Sequence, residues 1–225
     1  MAENHQKRYA IIVAGGSGSR MNTELPKQFI LLGGMPVLYY SLKKFYEAGA
    51  EIILVLPHQH FSLWEELKTK HTITIPHTVT NGGTTRSESV YNGLKYVGDT
   101  DSFAGVHDAV RAMISVPLIN KLYDTAYEKG NAVPVIPMND SIRKVEGDKN
   151  SAVNRADYRI VQTPQVFKTN ELVKAFRSSV SKNFTDEASL MESLEHAINL
   201  VEGDQENIKI TYPHDILIAE SLLKK

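Results

Sequence analysis

The stretch Tyr9-Ala10-Ile11-Ile12-Val13 runs directly into Ala14-Gly15-Gly16-Ser17-Gly18-Ser19-Arg20-Met21, and that junction decides the fold. An uncharged apolar run of this length fits a strand buried on both faces, as in a parallel sheet covered by helices. The glycines that follow let the chain turn sharply and let a ligand approach the backbone, while successive N–H groups can converge on phosphate oxygens. Glycines alone serve a ligand-free strand-to-helix connection equally well. Arg20, Pro26 and Lys27 close behind them, and the tendency of ligands to gather at the carboxyl ends of strands in open α/β sheets, favour a phosphate. The loop is not a Walker A loop, because no Gly-Lys-Ser/Thr closes it. Nor is it a dinucleotide fingerprint: Met21 occupies the third glycine position, and the second apolar run ends in Leu56-Pro57-His58 with no acidic residue for a ribose.

Outward from this junction, apolar runs alternate with amphipathic stretches, which predicts a largely parallel sheet between helices. Strands are expected at 9–13, 52–56, 73–77, 103–107 and 132–136. Helices are expected from Pro36 to Gly49, from Thr85 and Glu88 (a capping-box spacing) to about Val97, from Ser115 and Pro117 to Gly130, and from Pro213 onward. The rhythm breaks at 139–162, where 141–145 and 158–162 read as two strands of a projecting hairpin arm around the polar stretch Gly147-Asp148-Lys149-Asn150-Ser151. Open strand edges invite pairing, so such an arm suggests a homodimer. A single domain over 1–225 carrying this arm is the expected organisation.

The composition sets limits on partners. The chain has 225 residues, 42% hydrophobic and 23% charged, enough for a substantial core. With 25 Lys+Arg against 26 Asp+Glu the net charge is −1, which offers no global attraction to nucleic acid or an anionic membrane. A small polyanion needs only a local cluster of cations. The absence of cysteine excludes disulfides, thiolate catalysis and cysteine-ligated metals. No apolar run approaches a bilayer-spanning length, and 1–8 lacks the apolar stretch of a secretory signal, so a cytoplasmic protein is expected.

Further candidates lie at other strand ends. Asn81-Gly82-Gly83-Thr84-Thr85-Arg86-Ser87-Glu88-Ser89 leads into a helix N-terminus, where backbone amides favour polar or anionic groups, although capping by Thr85 and Glu88 explains it without a ligand. In His107-Asp108-Ala109-Val110-Arg111, Asp108 is placed to ligate Mg²⁺ on a triphosphate or simply to pair with Arg111; His107 reads as structural. Pro164 biases Thr163 toward extended geometry. Thr185-Asp186-Glu187 reads first as a helix cap. Lys209, in the strand-like 208–211, is an oddity unless alternation turns it toward a cleft.

Taken together these segments resemble the 2-C-methyl-D-erythritol 4-phosphate cytidylyltransferases of the non-mevalonate isoprenoid pathway, across nearly the whole chain. The signatures are the glycine loop through Met21, Pro26-Lys27-Gln28-Phe29, Gly82-Gly83 with Arg86-Ser87-Glu88-Ser89-Val90, and His107-Asp108-Ala109-Val110-Arg111. Gln162-Thr163-Pro164-Gln165-Val166-Phe167, Thr185-Asp186-Glu187-Ala188-Ser189 and Asn207-Ile208-Lys209-Ile210-Thr211 complete them. The resemblance implies a three-layer, Rossmann-like nucleotidyltransferase fold and transfer of CMP from CTP to the acceptor phosphate. It implies that Ala14, Gly15, Gly16, Ser17 and Gly18 hold CTP, with Gly83 and Ser89 on the cytosine and ribose side and Ala109 beside Asp108. Arg20 and Lys27 would stabilise charge at the α-phosphate, and Asp108 would ligate Mg²⁺ or another divalent cation. Arg155 and Lys209 would position the acceptor, assisted by Arg111, Ser141, Thr163 and Thr185, and the arm would complete the neighbouring subunit's site in a homodimer. Two positions depart from the pattern. Ala112 replaces a usual proline, which would loosen the loop carrying Asp108 and Arg111, and Ser141 replaces a usual threonine but keeps the hydroxyl. The rivals are a sister enzyme that makes CDP-ribitol from ribitol 5-phosphate, a silent nucleotide-binding protein on the same fold, and, distantly, a dehydrogenase. Ser89-Val90 with Gly93-Leu94, and the Thr185–Ser189 stretch, favour the isoprenoid enzyme over the ribitol one.

Overall fold

A computed structural model describes residues 7–16, 21, 25–98, 100–179 and 184–224. Along the first half run β1 (Arg8–Val13), β2 (Leu31–Leu32), β3 (Met35–Pro36), α1 (Val37–Glu47), β4 (Glu51–Leu56), α2 (Phe61–Lys70), β5 (Thr78–Asn81), α3 (Arg86–Val97) and β6 (Phe103–Asp108). The second half has α4 (Val116–Lys129), β7 (Asn131–Pro137), β8 (Arg143–Glu146), β9 (Lys149–Ala152), β10 (Arg159–Val161), β11 (Gln165–Lys168), α5 (Thr169–Ser178), α6 (Glu187–Glu192), β12 (Leu200–Glu202) and α7 (Pro213–Leu223).

The main sheet follows the order β10-β7-β11-β6-β1-β4-β5, with β12 also on β7. β6, β1, β4 and β5 pair in parallel, while β11 is wedged antiparallel between β6 and β7. The pleat of β1 divides its side chains between two cores. Ala10 and Ile12 pack with Leu38, Leu42 and Phe45 of α1 and Leu118 and Leu122 of α4, whereas Tyr9, Ile11 and Val13 pack with Val90 and Leu94 of α3 and Leu172 and Val173 of α5. From Tyr9 to Val13 the strand carries no charge and is buried because both faces are covered, giving the three layers expected. Helix ends follow the sequence signals: Ser115 caps α4 by accepting from the Leu118 N–H, and Gly130 closes it in a left-handed conformation.

Three readings are corrected. The strand expected at 73–77 lies instead at Thr78–Asn81. Pro76 cannot donate to a ladder, so the alternating Ile73-Thr74-Ile75 never enters the sheet and pairing starts beyond it. The arm's hairpin is β8 with β9, turning at Gly147 (φ +60°), rather than 141–145 with 158–162. The second of those segments returns to the body as β10, antiparallel to β7. Residues 208–211 form no strand, although the Ile210 N–H donates to the Val110 carbonyl at 3.0 Å. The short β11 and β12, absent from the sequence reading, complete the sheet around β7.

Candidate active site

The carboxyl ends of β1 and β6, the turn before α3 and the segment before α7 surround a cleft of about 300 Å³. Ala14, Gly15, Gly16, Lys27, Gly83, Ser89, Asp108 and Lys209 line it, so residues drawn from almost the full length of the chain meet at one end of the sheet. Ala14 is held by its N–H to the Val55 carbonyl and by its own carbonyl, which accepts from Gln28 Nε2 at 2.8 Å. Among the described residues, a Cβ on Gly15 or Gly16 would meet nothing closer than 3.8 Å. Packing therefore does not demand glycine at either position, and its effect is to leave the backbone bare toward the cleft. Gly83 is different, since a Cβ there would lie 2.2 Å from Glu88 Cβ. Its N–H donates to Ser89 Oγ at 3.0 Å. Thr85 caps α3 through the Glu88 N–H, but the Glu88 carboxylate takes the Thr84 N–H and hydroxyl, so the capping box is only half formed.

Asp108 is the electrostatic centre. Its Oδ2 lies 2.8 Å from Lys209 Nζ and 3.8 Å from Arg111 Nε, and its Oδ1 lies 3.5 Å from Arg86 Nε. The carboxylate thus pairs most closely with Lys209, not with Arg111. Burial pushes its pKa up, but Arg86, Lys209 and Arg111 more than offset this and hold it well below the usual carboxylate range. Lys209 reaches Asp108 because its neighbour Ile210 is fully buried with Val110 and Ala112. The Ile210 carbonyl also accepts from Lys27 Nζ at 3.1 Å, which draws the two lysines to one wall.

The loop behind Asp108 is tied down despite the missing proline. The Ala109 N–H donates to the Val13 carbonyl, Ser41 Oγ to the Ala109 carbonyl, and Arg111 Nη1 to the Asn207 carbonyl at 2.9 Å; Ala112 itself is buried. Thr163 Oγ1 accepts from the Asp108 N–H at 3.0 Å and faces His107 Nδ1 at 3.2 Å, so this hydroxyl fixes the loop from beneath. His107 is fully buried, and burial lowers its pKa to about 3. It is neutral and structural, as expected. The cleft lining contains one carboxylate, Asp108, and among the described residues no group of three or more His, Cys, Asp or Glu is arranged to hold a metal. That donor set fits a hard cation taking its remaining ligands from water and substrate phosphates.

Other expected residues lie elsewhere. Ser141 and Arg155 line a separate cavity of about 480 Å³ on the arm, where the exposed Arg155 donates to the Asn139 carbonyl. Thr185 is exposed beside Asp186, which caps α6 by accepting from the Ser189 N–H at 3.0 Å. Ser17, Gly18 and Arg20 fall outside the described residues. The sequence reading gave no role to Arg86, Glu187, Gln162, Gln165 or Asn207, all of which the structure places around the site. Gln162 and Asn207 join β10 and β11 to the Lys209 segment: Gln162 Nε2 donates to the Asp204 carbonyl at 2.7 Å, and Asn207 Nδ2 to the Thr163 carbonyl at 3.0 Å. One signal was present for Arg86. A cation in the first turn of a helix opposes the helix dipole and calls for a tertiary partner.

Comparison with known proteins agrees with this architecture. The sequence profile of the family described as 2-C-methyl-D-erythritol 4-phosphate cytidylyltransferase matches residues 9–225. The protein of that name from Bacteroides thetaiotaomicron is 41% identical over 96% of this chain and 100% of its own length. The one from Porphyromonas gingivalis is 44% identical over 97% and 98%. The crystal structure of the Thermus thermophilus protein of that name superposes with a TM-score of 0.81 at 30% identity, covering 97% of this chain and all of the other. A glycine-lined cleft centred on Asp108, on this sheet and with these likenesses over nearly the full length, establishes that the chain belongs to the 2-C-methyl-D-erythritol 4-phosphate cytidylyltransferase family.

Proposed function

We propose that the chain transfers CMP from CTP to 2-C-methyl-D-erythritol 4-phosphate, releasing pyrophosphate, as a step of isoprenoid precursor biosynthesis. The observation that carries this reading is the convergence of Lys27, Lys209 and Asp108 on a cleft whose glycine wall is bare for no packing reason. The acceptor brings an ionised phosphate oxygen that is already a nucleophile, so the site needs no side-chain base. Its oxygen forms a bond to the α-phosphorus as the bond to the pyrophosphate oxygen breaks. What the protein supplies is alignment of two polyanions and neutralisation of developing charge.

The backbone at Ala14, Gly15 and Gly16, continued by Ser17 and Gly18, receives the triphosphate, and Gly83 and Ser89 receive the nucleoside. Lys27, together with Arg20 by its place in the sequence, is assigned to the α-phosphate. Lys209 positions the acceptor phosphate, with Arg111, Thr163 and Thr185 in support. Asp108, flanked by Ala109, would hold a divalent cation, taken to be Mg²⁺, which when bound would supply neutralisation of phosphate charge. Because Ser141 and Arg155 share the arm rather than the cleft, the reading assigns them to the cleft of a second copy in a homodimer. The exposed Tyr158, Ile160 and Val161 at the base of the arm give such a contact its apolar surface. Two highly charged substrates that do not cross a bilayer unaided, and a chain without cysteine, suit a cytoplasmic enzyme.

Pyrophosphate release from CTP by the purified chain is the test. Release that requires both methylerythritol phosphate and Mg²⁺ supports the reading. Equal or faster release with ribitol 5-phosphate assigns the sister activity instead, and CTP binding with no release for either acceptor points to a silent nucleotide-binding protein.

A further inference from the structure

Arg86 opens α3 and lines the cleft, yet its guanidinium is turned to Glu187. Nη1 and Nη2 donate to the two carboxylate oxygens at 2.6 and 3.1 Å, a two-pronged, charge-assisted pair. Glu187 is 1% exposed and begins α6. That helix start is itself fixed from β11, where Gln165 Nε2 donates to Asp186 Oδ2 at 3.0 Å and Gln165 Oε1 accepts from the Ala188 N–H at 2.8 Å. The fork is therefore locked, and its remaining nitrogen, Nε, faces Asp108 Oδ1 at 3.5 Å.

The three cations around Asp108 are not equivalent. Arg86 is anchored by Glu187 and Arg111 by the Asn207 carbonyl. Lys209 sits on a flexible stem with its side chain 44% exposed. When Lys209 turns to a bound phosphate, the arginines alone keep the carboxylate in place. We infer that Arg86, with Glu187 as its anchor, is a positioning residue for nucleotidyl transfer, acting through Asp108 by fixing which carboxylate oxygen is presented to the metal–triphosphate. This rests on the function proposed above. It differs from direct phosphate binding, because both terminal nitrogens of Arg86 already point at Glu187.

Arg86→Ala would leave Glu187 a buried, unpaired carboxylate and risks unfolding. The informative variants of the full chain are therefore Arg86→Lys, which keeps the charge but loses the fork, Glu187→Gln, and the two combined. Two readouts are needed: pyrophosphate release across a Mg²⁺ titration, and calorimetric CTP binding with and without Mg²⁺. The expectation is a roughly 10- to 100-fold fall in kcat for either single variant. Acceptor KM should stay within about twofold, and half-saturating Mg²⁺ should rise several-fold as metal presentation is degraded. The variants should also lose most of the affinity that Mg²⁺ adds for CTP while keeping metal-free CTP affinity, and the double variant should be no worse than the weaker single one. Wild-type kcat and Mg²⁺ dependence, with only a lowered melting temperature, would make the pair a structural staple and overturn the inference. So would an equal loss of CTP affinity with and without the metal, which means direct contact with the nucleotide. If the wild-type chain releases pyrophosphate with neither acceptor, the functional reading fails; the calorimetric arm still tests the Arg86–Asp108 link.

Discussion

Lys27 lies with Gln28 and Phe29 in a buried helical turn, yet its ammonium comes through the cleft wall to the Ile210 carbonyl at 3.1 Å. On the proposed function, an ammonium held there, beside a glycine backbone that leaves room for a ligand, would be preorganised for charge that develops only as pyrophosphate leaves. Lys27→Ala should lower kcat by about 10²- to 10³-fold, the usual cost of removing one such electrostatic contact, with CTP affinity changed much less; steady-state pyrophosphate release checks this. Lys209 should behave differently, since it is exposed and assigned to the acceptor. For Lys209→Ala the expected signature is a rise of about 10-fold or more in acceptor KM together with lower kcat, read from the same assay with the acceptor varied. The residue scale was also where the sequence was least complete. Asp108, Lys27 and Lys209 are visible as charged residues near glycine turns or in apolar stretches. Arg86 and Glu187 stand 101 positions apart, and only the sheet order that places β11 next to β6 brings α6 to α3.

Two elements carry predictions about stability. In α3, Gly93 packs so tightly on β1 and β4 that a Cβ would come within 2.6 Å of Ile11 Cγ2 and 2.9 Å of Val55 Cγ2. This close approach brings the helix N-terminus over the cleft. Gly93→Val should cost about 1–3 kcal/mol through over-packing, despite the better helix propensity of valine, and chemical denaturation measures it. The segment before β5 carries a pH dependence. Trp64 Nε1 on α2 donates to His77 Nε2 at 3.0 Å, so Nε2 is the unprotonated nitrogen and Nδ1–H donates to the Ile75 carbonyl at 2.7 Å. Burial lowers the His77 pKa, with Lys68 lowering it further against Glu65 and the Ile75 carbonyl. A histidine whose folded pKa is depressed contributes its full stability above the ordinary value near 6.5 and loses it as pH falls toward the folded value. Below pH 6.5 the unfolding free energy should therefore fall by up to about 1.4 kcal/mol per pH unit from this group. Trp64 is the single tryptophan, so urea titrations followed by its fluorescence at pH 7.5 and 5.5 read the effect locally. His77→Gln should flatten the dependence by that amount.

On the scale of the whole molecule, most of the α/β architecture was legible because β1, β4 and β6 are buried on both faces and their sequences show it. What escaped was pairing that the local pattern does not encode. Val166 and Phe167 of β11 follow a Thr-Pro pair and are too few to announce a strand, and β8 and β9 are exposed at every position. The arm therefore showed as a break in rhythm, while its register waited on the Gly147 turn. The same exposure motivates a test of assembly. If the arm serves a second copy, the chain should sediment as a dimer, and Arg155→Ala should lower activity with CTP affinity retained. Mixing impaired Lys27→Ala with impaired Arg155→Ala protein should raise activity above that of either alone by pairing one intact cleft with one intact arm, whereas no recovery despite subunit exchange would place Arg155 in its own chain's site.

Everything assigned to the cleft turns on the identity of the acceptor, which direct competition decides. The purified chain, supplied with CTP, Mg²⁺ and equal concentrations of methylerythritol phosphate and ribitol 5-phosphate, is sampled at early times and its products are weighed by mass spectrometry. The dominant product should be 4-diphosphocytidyl-2-C-methyl-D-erythritol, with pyrophosphate in equal amount; CDP-ribitol as the major product would refute the assignment.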